Sequence, residues 1–219
     1  MQISIANVLS ASEVLAARAA LAAALFVDGR ETAGYAARLV KDNQQAAGGE
    51  GIDALRARLV ARVKANAVFD LAARPKAIGG VLFSRYRTGH GYGAHVDNAL
   101  IDGLRTDVAF TLFLSDPASY AGGELVLETA AGEDAIKLAA GDLVVYPATT
   151  LHRVATVGNG ERLAMVGWVQ SLVRDAGRRE ILFDLDSARR ALFERHGKTA
   201  EYDLLAKSAA NLLRMWVDG

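Results

Sequence analysis

The sequence contains no cysteine and only three prolines in 219 residues. Without thiols there is no disulfide, no zinc–thiolate or iron–sulfur centre and no cysteine nucleophile, so any metal must be held by histidine and carboxylate ligands. The same absence fits a cytoplasmic address. Charge of one sign is also missing. Lys+Arg and Asp+Glu both number 25, and no basic excess points to nucleic acid or to an anionic membrane. Long apolar runs are lacking. Ala19 to Val27 is nine residues and stops at Asp28, well short of the roughly 20 needed to span a bilayer. No basic segment precedes it, so a secretory signal is not expected. What the chain does have is 52% hydrophobic and 23% charged residues, enough for a sizeable core and incompatible with global disorder. Its length suits one domain with a small helical appendage.

Three zones differ in texture. Residues 1–75 read as helical. Ser10 with Glu13 forms a capping-box pattern ahead of an Ala/Leu-rich run, and Ile52, Leu55, Leu59 and Val63 recur at helical spacing. The stretch between them, with Asp28-Gly29-Arg30, Ala33-Gly34-Tyr35 and Asn43-Gln44-Gln45, reads as turns with no chemistry in its spacing. Residues 78–173 are a series of short runs rich in Val, Leu, Phe and Tyr, from Val81–Arg87 to Leu163–Val173, many separated by glycine turns that include Gly122-Gly123 and Gly158-Asn159-Gly160. Seven or eight such strands predict a β-sandwich or jelly roll rather than alternating βαβ units. Helical texture returns after residue 175. Ile181, Leu182, Leu185, Ala188, Leu192 and Phe193 approximate one face, and a last helix is expected over Tyr202–Val217.

The chain has four histidines: His90, His95, His152 and His196. His95 and Asp97 form an H-x-D pair, which on extended backbone points both side chains the same way, toward one ion. Alone, the pair equally fits a surface histidine near a capping aspartate. His152 follows 57 residues later, after the strand-like Leu143–Tyr146 and a proline turn. A jelly roll can bring such a late strand beside an early one. Two imidazoles and one carboxylate would then make the facial triad that suits non-haem Fe(II) and leaves positions open for a bidentate oxo-acid and O2. Arg162 lies ten residues beyond His152. Facing inward, it would need an anion, and its planar fork suits the distal carboxylate of a dicarboxylic co-substrate. The alternative is a surface pair with Glu161.

Several runs together resemble the PKHD-type hydroxylases of the Fe(II)/2-oxoglutarate dioxygenase superfamily, including their iron-uptake-factor-like bacterial members. They are Phe83–Tyr86 through Gly93–Ala99, Arg105–Asp107, Thr111–Ser115, Tyr120–Leu125, Tyr146-Pro147 to His152, Gly160–Arg162 and Trp168–Asp175. Asp28–Arg30, Thr32–Gly34 and Asn211–Arg214 also match, so the resemblance covers nearly the whole chain. It implies an α+β fold with a double-stranded β-helix core and flanking helices. It implies a dioxygenase domain over 1–175 and a C-terminal helical extension over 176–219. It further implies His95, Asp97 and His152 as iron ligands, Arg162 as the 2-oxoglutarate anchor, and L-ascorbate (L-ascorbic acid) as an auxiliary reductant. The expected reaction consumes O2 and 2-oxoglutarate, releases succinate and CO2, and hydroxylates a substrate.

Other residues carry two readings each. Tyr86, nine before the H-x-D, is a second co-substrate contact or a packed core tyrosine. Tyr92 and Asn98 flank the motif and face substrate, unless Asn98 is only a turn residue. Arg105 with Asp107 is a structural ion pair or a substrate-facing one. Phe83, Phe110, Phe113 and Trp168 either line the reaction cavity or simply pack the core. His90 contacts substrate or is a solvated loop histidine, and His196, before Gly197 at a helix end, is given no catalytic role. The runner-up function is a cupin-like protein that binds a metal or small molecule without turnover. The substrate is not legible: a peptide side chain, a small metabolite or an iron-chelating compound fits, the resemblance to iron-uptake-factor-like members pointing to iron uptake and the last of these, and homo-oligomerisation is left open.

Overall fold

The computed structural model describes residues 1–217; Asp218 and Gly219, the last two of the expected C-terminal extension, lie outside the described residues. The N-terminal zone forms β1 (Ile3–Ile5), α1 (Ala11–Ala22), β2 (Phe26–Asp28), β3 (Lys41–Asp42), β4 (Gln44–Ala46), α2 (Glu50–Ala65) and α3 (Ala67–Ala73). The central zone forms β5 (Pro75–Arg87), β6 (Gly91–His95), β7 (Leu100–Ile101), β8 (Leu104–Arg105), β9 (Val108–Phe113) and β10 (Tyr120–Gly122). It continues with β11 (Leu125–Thr129), β12 (Gly132–Ile136), β13 (Leu143–Pro147), β14 (His152–Val154) and β15 (Val157–Ser171). Two helices close the chain, α4 (Ala176–His196) and α5 (Ala200–Trp216).

The strands build two facing sheets, apart from β7 and β8, which pair with each other. The major sheet runs β1-β13-β9-β15-β5-β4-β2, with β10 also on β15; the minor sheet runs β12-β11-β14-β6-β3. Every pairing is antiparallel, which gives the jelly roll. β9 is buried along its whole length because both its faces are covered. Val108, Phe110 and Leu112 point to the helical layer, where Leu21, Leu59, Val63 and Phe69 complete the larger core. Ala109 and Phe113 point between the sheets, with Leu125, Leu127 and Tyr146. The period-2 alternation of a strand decides this division.

The helix starts follow the sequence. Ser10 and Glu13 close both halves of a capping box, and Ile52, Leu55, Leu59 and Val63 are the buried stripe of α2. Three expectations change. Residues 1–75 are not purely helical, because β2 and β4 extend the major sheet and β3 edges the minor one. These strands are two or three residues long, and pairing across the fold, not local propensity, makes them. Gly158-Asn159-Gly160 is not a turn. It lies within β15, where Tyr120 pairs with Gly160 and Ala121 with Asn159. Finally, the expected apolar face of α4 is largely outside: Ile181 is 48% and Phe193 50% exposed. Of that face only Leu182 is buried, together with the polar Arg179 and Asp186, because ion pairs and backbone hydrogen bonds dock the helix. Among the described residues, no helix is long and apolar enough to cross a membrane.

Candidate metal centre and co-substrate cavity

Strand register explains how residues far apart in sequence meet. On the β14–β6 pair, His152 stands directly opposite His95. Their rings lie 4.3 Å apart. Asp97 follows two residues after His95, just beyond β6, and its Oδ1 comes within 3.8 Å of His152 Nε2. One ligand atom from each of the three lies within 4.8 Å of the others, so the trio can hold one metal ion.

The imidazoles are fixed for that task. His95 Nδ1 is 2.8 Å from the Gly93 carbonyl and His152 Nδ1 is 2.9 Å from the Thr150 carbonyl. A carbonyl only accepts, so each Nδ1 carries the proton and each Nε2 presents its lone pair. Burial, then the neighbouring His152, lowers the His95 pKa to about 4 against the opposing Gly93 carbonyl, which keeps the ring neutral as a ligand must be. Tyr92 stacks on the His95 ring, centroids 3.6 Å apart, and limits its rotation. Burial raises the Asp97 pKa, opposed chiefly by His152. The Trp168 indole N–H also favours the carboxylate but closes no hydrogen bond of good geometry, leaving both Trp168 Nε1 and Asp97 Oδ2 buried without a partner. An unpartnered buried carboxylate oxygen beside two lone pairs fits a bound cation.

Arg162 sits in the same cavity, of about 710 Å³. It stands opposite Tyr86 on the β15–β5 pair. The Ser115 hydroxyl donates to the Glu161 carbonyl at 2.9 Å and accepts from the Leu163 N–H at 2.8 Å, pinning the backbone on both sides of it. Gly123 provides the space beneath: at φ +71°, a Cβ there would lie 3.2 Å from Arg162 Cδ and 3.0 Å from the Tyr120 ring. The guanidinium is 1% exposed and lies over the Tyr86 and Phe113 rings, at 5.2 and 5.4 Å. Its Nε has no hydrogen-bond partner, and among the described residues no carboxylate pairs with it. The surface alternative fails, because Glu161 turns outward to Arg85 and Arg87. Burial raises the Tyr86 pKa, with Arg162 and then Asn43 opposing, so the phenol keeps its proton and can donate.

Tyr92, Asn98 and Trp168 line the cavity; Arg105 and His90 do not. Arg105 is held bidentately by Asp107 at 2.8 to 3.1 Å, which corrects the substrate-facing reading. Phe83 and Phe110 belong to the core under the helices, and Phe113 lies between the sheets beneath Arg162. His196 ends α4. No residue of α4 or α5 lines the cavity. The sequence reading passed over Thr32, Lys41, Asn43 and Gln45, all of which do. The missed signal is an alternation: Lys41, Asn43 and Gln45 are buried and polar, while the residues between them are less so. A segment that turns alternate polar side chains inward builds a site, not a core.

A profile of the 2OG-Fe(II) oxygenase superfamily matches residues 81–170, and one of the PKHD-type hydroxylase C-terminal domain matches residues 176–218. A PKHD-type hydroxylase of Acaryochloris marina is 52% identical over 219 residues, covering 100% of both chains. The chain belongs to the PKHD-type hydroxylases. A hydroxylase of that type from Maricaulis maris is 55% identical over 193 residues, 88% of each chain. Among solved structures, a Pseudomonas putida prolyl-4-hydroxylase is similar at 25% identity and TM-score 0.54, over 78% of this chain and 92% of its own. HygX of Streptomyces hygroscopicus, solved with nickel and 2-oxoglutarate, shares the fold at 14% identity and TM-score 0.58, over 78% and 84%. This PKHD-type hydroxylase is thus a 2-oxoglutarate-dependent enzyme with a jelly-roll core, in a family whose cofactors are Fe(II) and 2-oxoglutarate.

Proposed function

We propose that the chain hydroxylates a small-molecule or peptide substrate at a centre held by His95, Asp97 and His152, with 2-oxoglutarate anchored by Arg162 and O2 consumed. One observation carries this reading: three metal-ligating atoms within 4.8 Å of one another share a cavity with a buried guanidinium that no carboxylate of the described residues neutralises. The chemistry supplied at a loaded centre is coupled decarboxylation of 2-oxoglutarate to succinate and CO2 with transfer of one oxygen atom of O2 into a substrate C–H bond. The protein's part is positional. His95 and His152 present Nε2 because Gly93 and Thr150 hold the opposite nitrogens. Arg162 takes the distal carboxylate of 2-oxoglutarate in its fork, and the Tyr86 phenol donates to the same co-substrate. Tyr92, Asn98 and Trp168 face the substrate side and keep water out. L-ascorbate serves as auxiliary reductant. We further propose a division into a catalytic unit over 1–175 and a helical extension over 176–219.

The test is succinate formation from 2-oxoglutarate with Fe(II) and ascorbate, with and without O2. Wild type should form succinate only with O2, and His95→Ala should form none while keeping its fold. Oxygen-independent succinate, or full activity in His95→Ala, would remove the assignment. The non-catalytic cupin-like alternative predicts metal binding with no 2-oxoglutarate affinity, so co-substrate binding separates the two.

A further inference from the structure

The roles above leave a polar wall of the cavity unused. It is built from β3, β4 and the turn before them. Lys41 is 6% exposed, and its Nζ donates to Thr32 Oγ1 at 3.1 Å. Thr32 is in turn fixed at 2.9 Å from Gln45 Oε1. Asp42, next to Lys41 in sequence, and Asp28, which faces it across the fold, are turned to Arg30, and among the described residues no carboxylate pairs with the ammonium. Burial lowers its pKa to about 8, with Asp28 and Asp97 opposing, so at neutral pH it stays charged. Two residues on, Asn43 is 3% exposed and lines the same cavity; it faces the Tyr86 phenol, but neither of its amide atoms closes a hydrogen bond of good geometry. Its place is fixed by Gly29, where a Cβ would come 1.8 Å from Asn43 Oδ1.

The wall lies next to the candidate metal centre. Lys41 pairs with Tyr92 across β3–β6, and its Nζ sits 5.2 Å from the Tyr92 ring, the ring that stacks on His95. Three cations line the cavity. Arg56 is occupied by Asp53. If Arg162 takes the distal carboxylate of 2-oxoglutarate and the metal takes the other end, that co-substrate has no anionic group left for Lys41. The two cations also sit on different sheets, Arg162 in the major sheet and Lys41 on the edge strand of the minor one. A buried ammonium with no carboxylate beside it and a buried amide N–H with no acceptor weaken the empty protein; an oxyanion would accept from both.

We propose that Lys41 and Asn43 form a subsite for a carboxylate on the molecule that is hydroxylated, so that the substrate class is a carboxylate-bearing compound. The ammonium supplies the charge and the Asn43 N–H the second hydrogen bond. This rests on the reading of Arg162 as the 2-oxoglutarate anchor.

The probes are phenylacetate and phenylacetamide, which have nearly the same shape and differ in charge. Each is titrated calorimetrically into protein loaded with Mn(II) and N-oxalylglycine, an unreactive analogue of 2-oxoglutarate. Wild type should prefer the carboxylate by about tenfold or more, the weight of one charge-assisted hydrogen bond. Lys41→Met should lose the preference and Lys41→Arg should keep part of it, while 2-oxoglutarate affinity stays within about twofold in both, because that anion is held elsewhere. No preference in wild type, or an undiminished one in folded Lys41→Met, overturns the subsite. If 2-oxoglutarate binding weakens in Lys41→Met and not in Arg162→Met, Lys41 is the co-substrate anchor, and the underlying reading falls with the subsite.

Discussion

Two groups of buried charge sit in this fold, and they are built in opposite ways. Where α3, α4 and the end of β15 meet, the chain answers its own charges. Arg74 meets Asp186 at 2.5 Å. Asp107 holds Arg105 through both oxygens and accepts the Ser171 N–H at 2.8 Å. Arg179 gives its Nη1 to the carbonyls of Val173 and Arg174, each at 2.8 Å. In the cavity, Arg162, Lys41 and one oxygen of Asp97 are just as buried, yet no opposite charge of the described residues pairs with Arg162 or Lys41, and that oxygen has no hydrogen bond. Buried charge that the protein neutralises itself is architecture. Buried charge left open is what the proposed carboxylate ligands would neutralise, and its cost falls on the empty state.

The largest expected effect breaks the paired group. Asp107→Ala removes the bidentate partner of Arg105 and leaves the buried Ser171 N–H without an acceptor, and should destabilise by about 3 kcal/mol in urea unfolding. Arg162→Met is the matching change in the open group. It should leave the metal-free protein as stable as wild type or more so, since it removes an uncompensated charge. A loss for Arg162→Met as large as for Asp107→Ala would erase the distinction.

Lys41→Met sharpens the same contrast with a gain, about 1–3 kcal/mol at pH 7, because a charged lysine no longer has to be buried. Its pH dependence fixes the cause. The folded pKa is depressed to about 8, below the unfolded value, so between these the unfolded chain holds the extra proton. Wild-type stability should therefore rise relative to Lys41→Met as pH increases from about 8 toward 10.5; a constant difference would mean that Lys41 is not buried as a charge. The smallest effect belongs to neither group. Ser10→Ala opens the capping box of α1 and should cost about 1 kcal/mol, without changing 2-oxoglutarate affinity.

The trio that can hold a metal ion was legible in the sequence because few residue types can bind iron and the chain has only four histidines. The central strands were legible from their apolar runs and glycine breaks, and α1 and α2 from capping and periodicity. Arg105 and Arg162 could not be told apart in the same way. Each lies near an acid in sequence, and only the fold shows that Asp107 turns toward its arginine and Glu161 away. Lys41, Asn43 and Gln45 escaped because two- and three-residue strands carry too little pattern to announce themselves. The polar inner face of α4 escaped because its partners, Arg74 among them, are about a hundred residues away.

The most direct test of the account is an anaerobic calorimetric titration of 2-oxoglutarate into Fe(II)-loaded wild type and Arg162→Met. If the open guanidinium is a receptor for the co-substrate, wild type binds and the variant loses about 100-fold in affinity, the weight of a buried bidentate carboxylate pair. Equal affinity in a folded, iron-loaded Arg162→Met would contradict it.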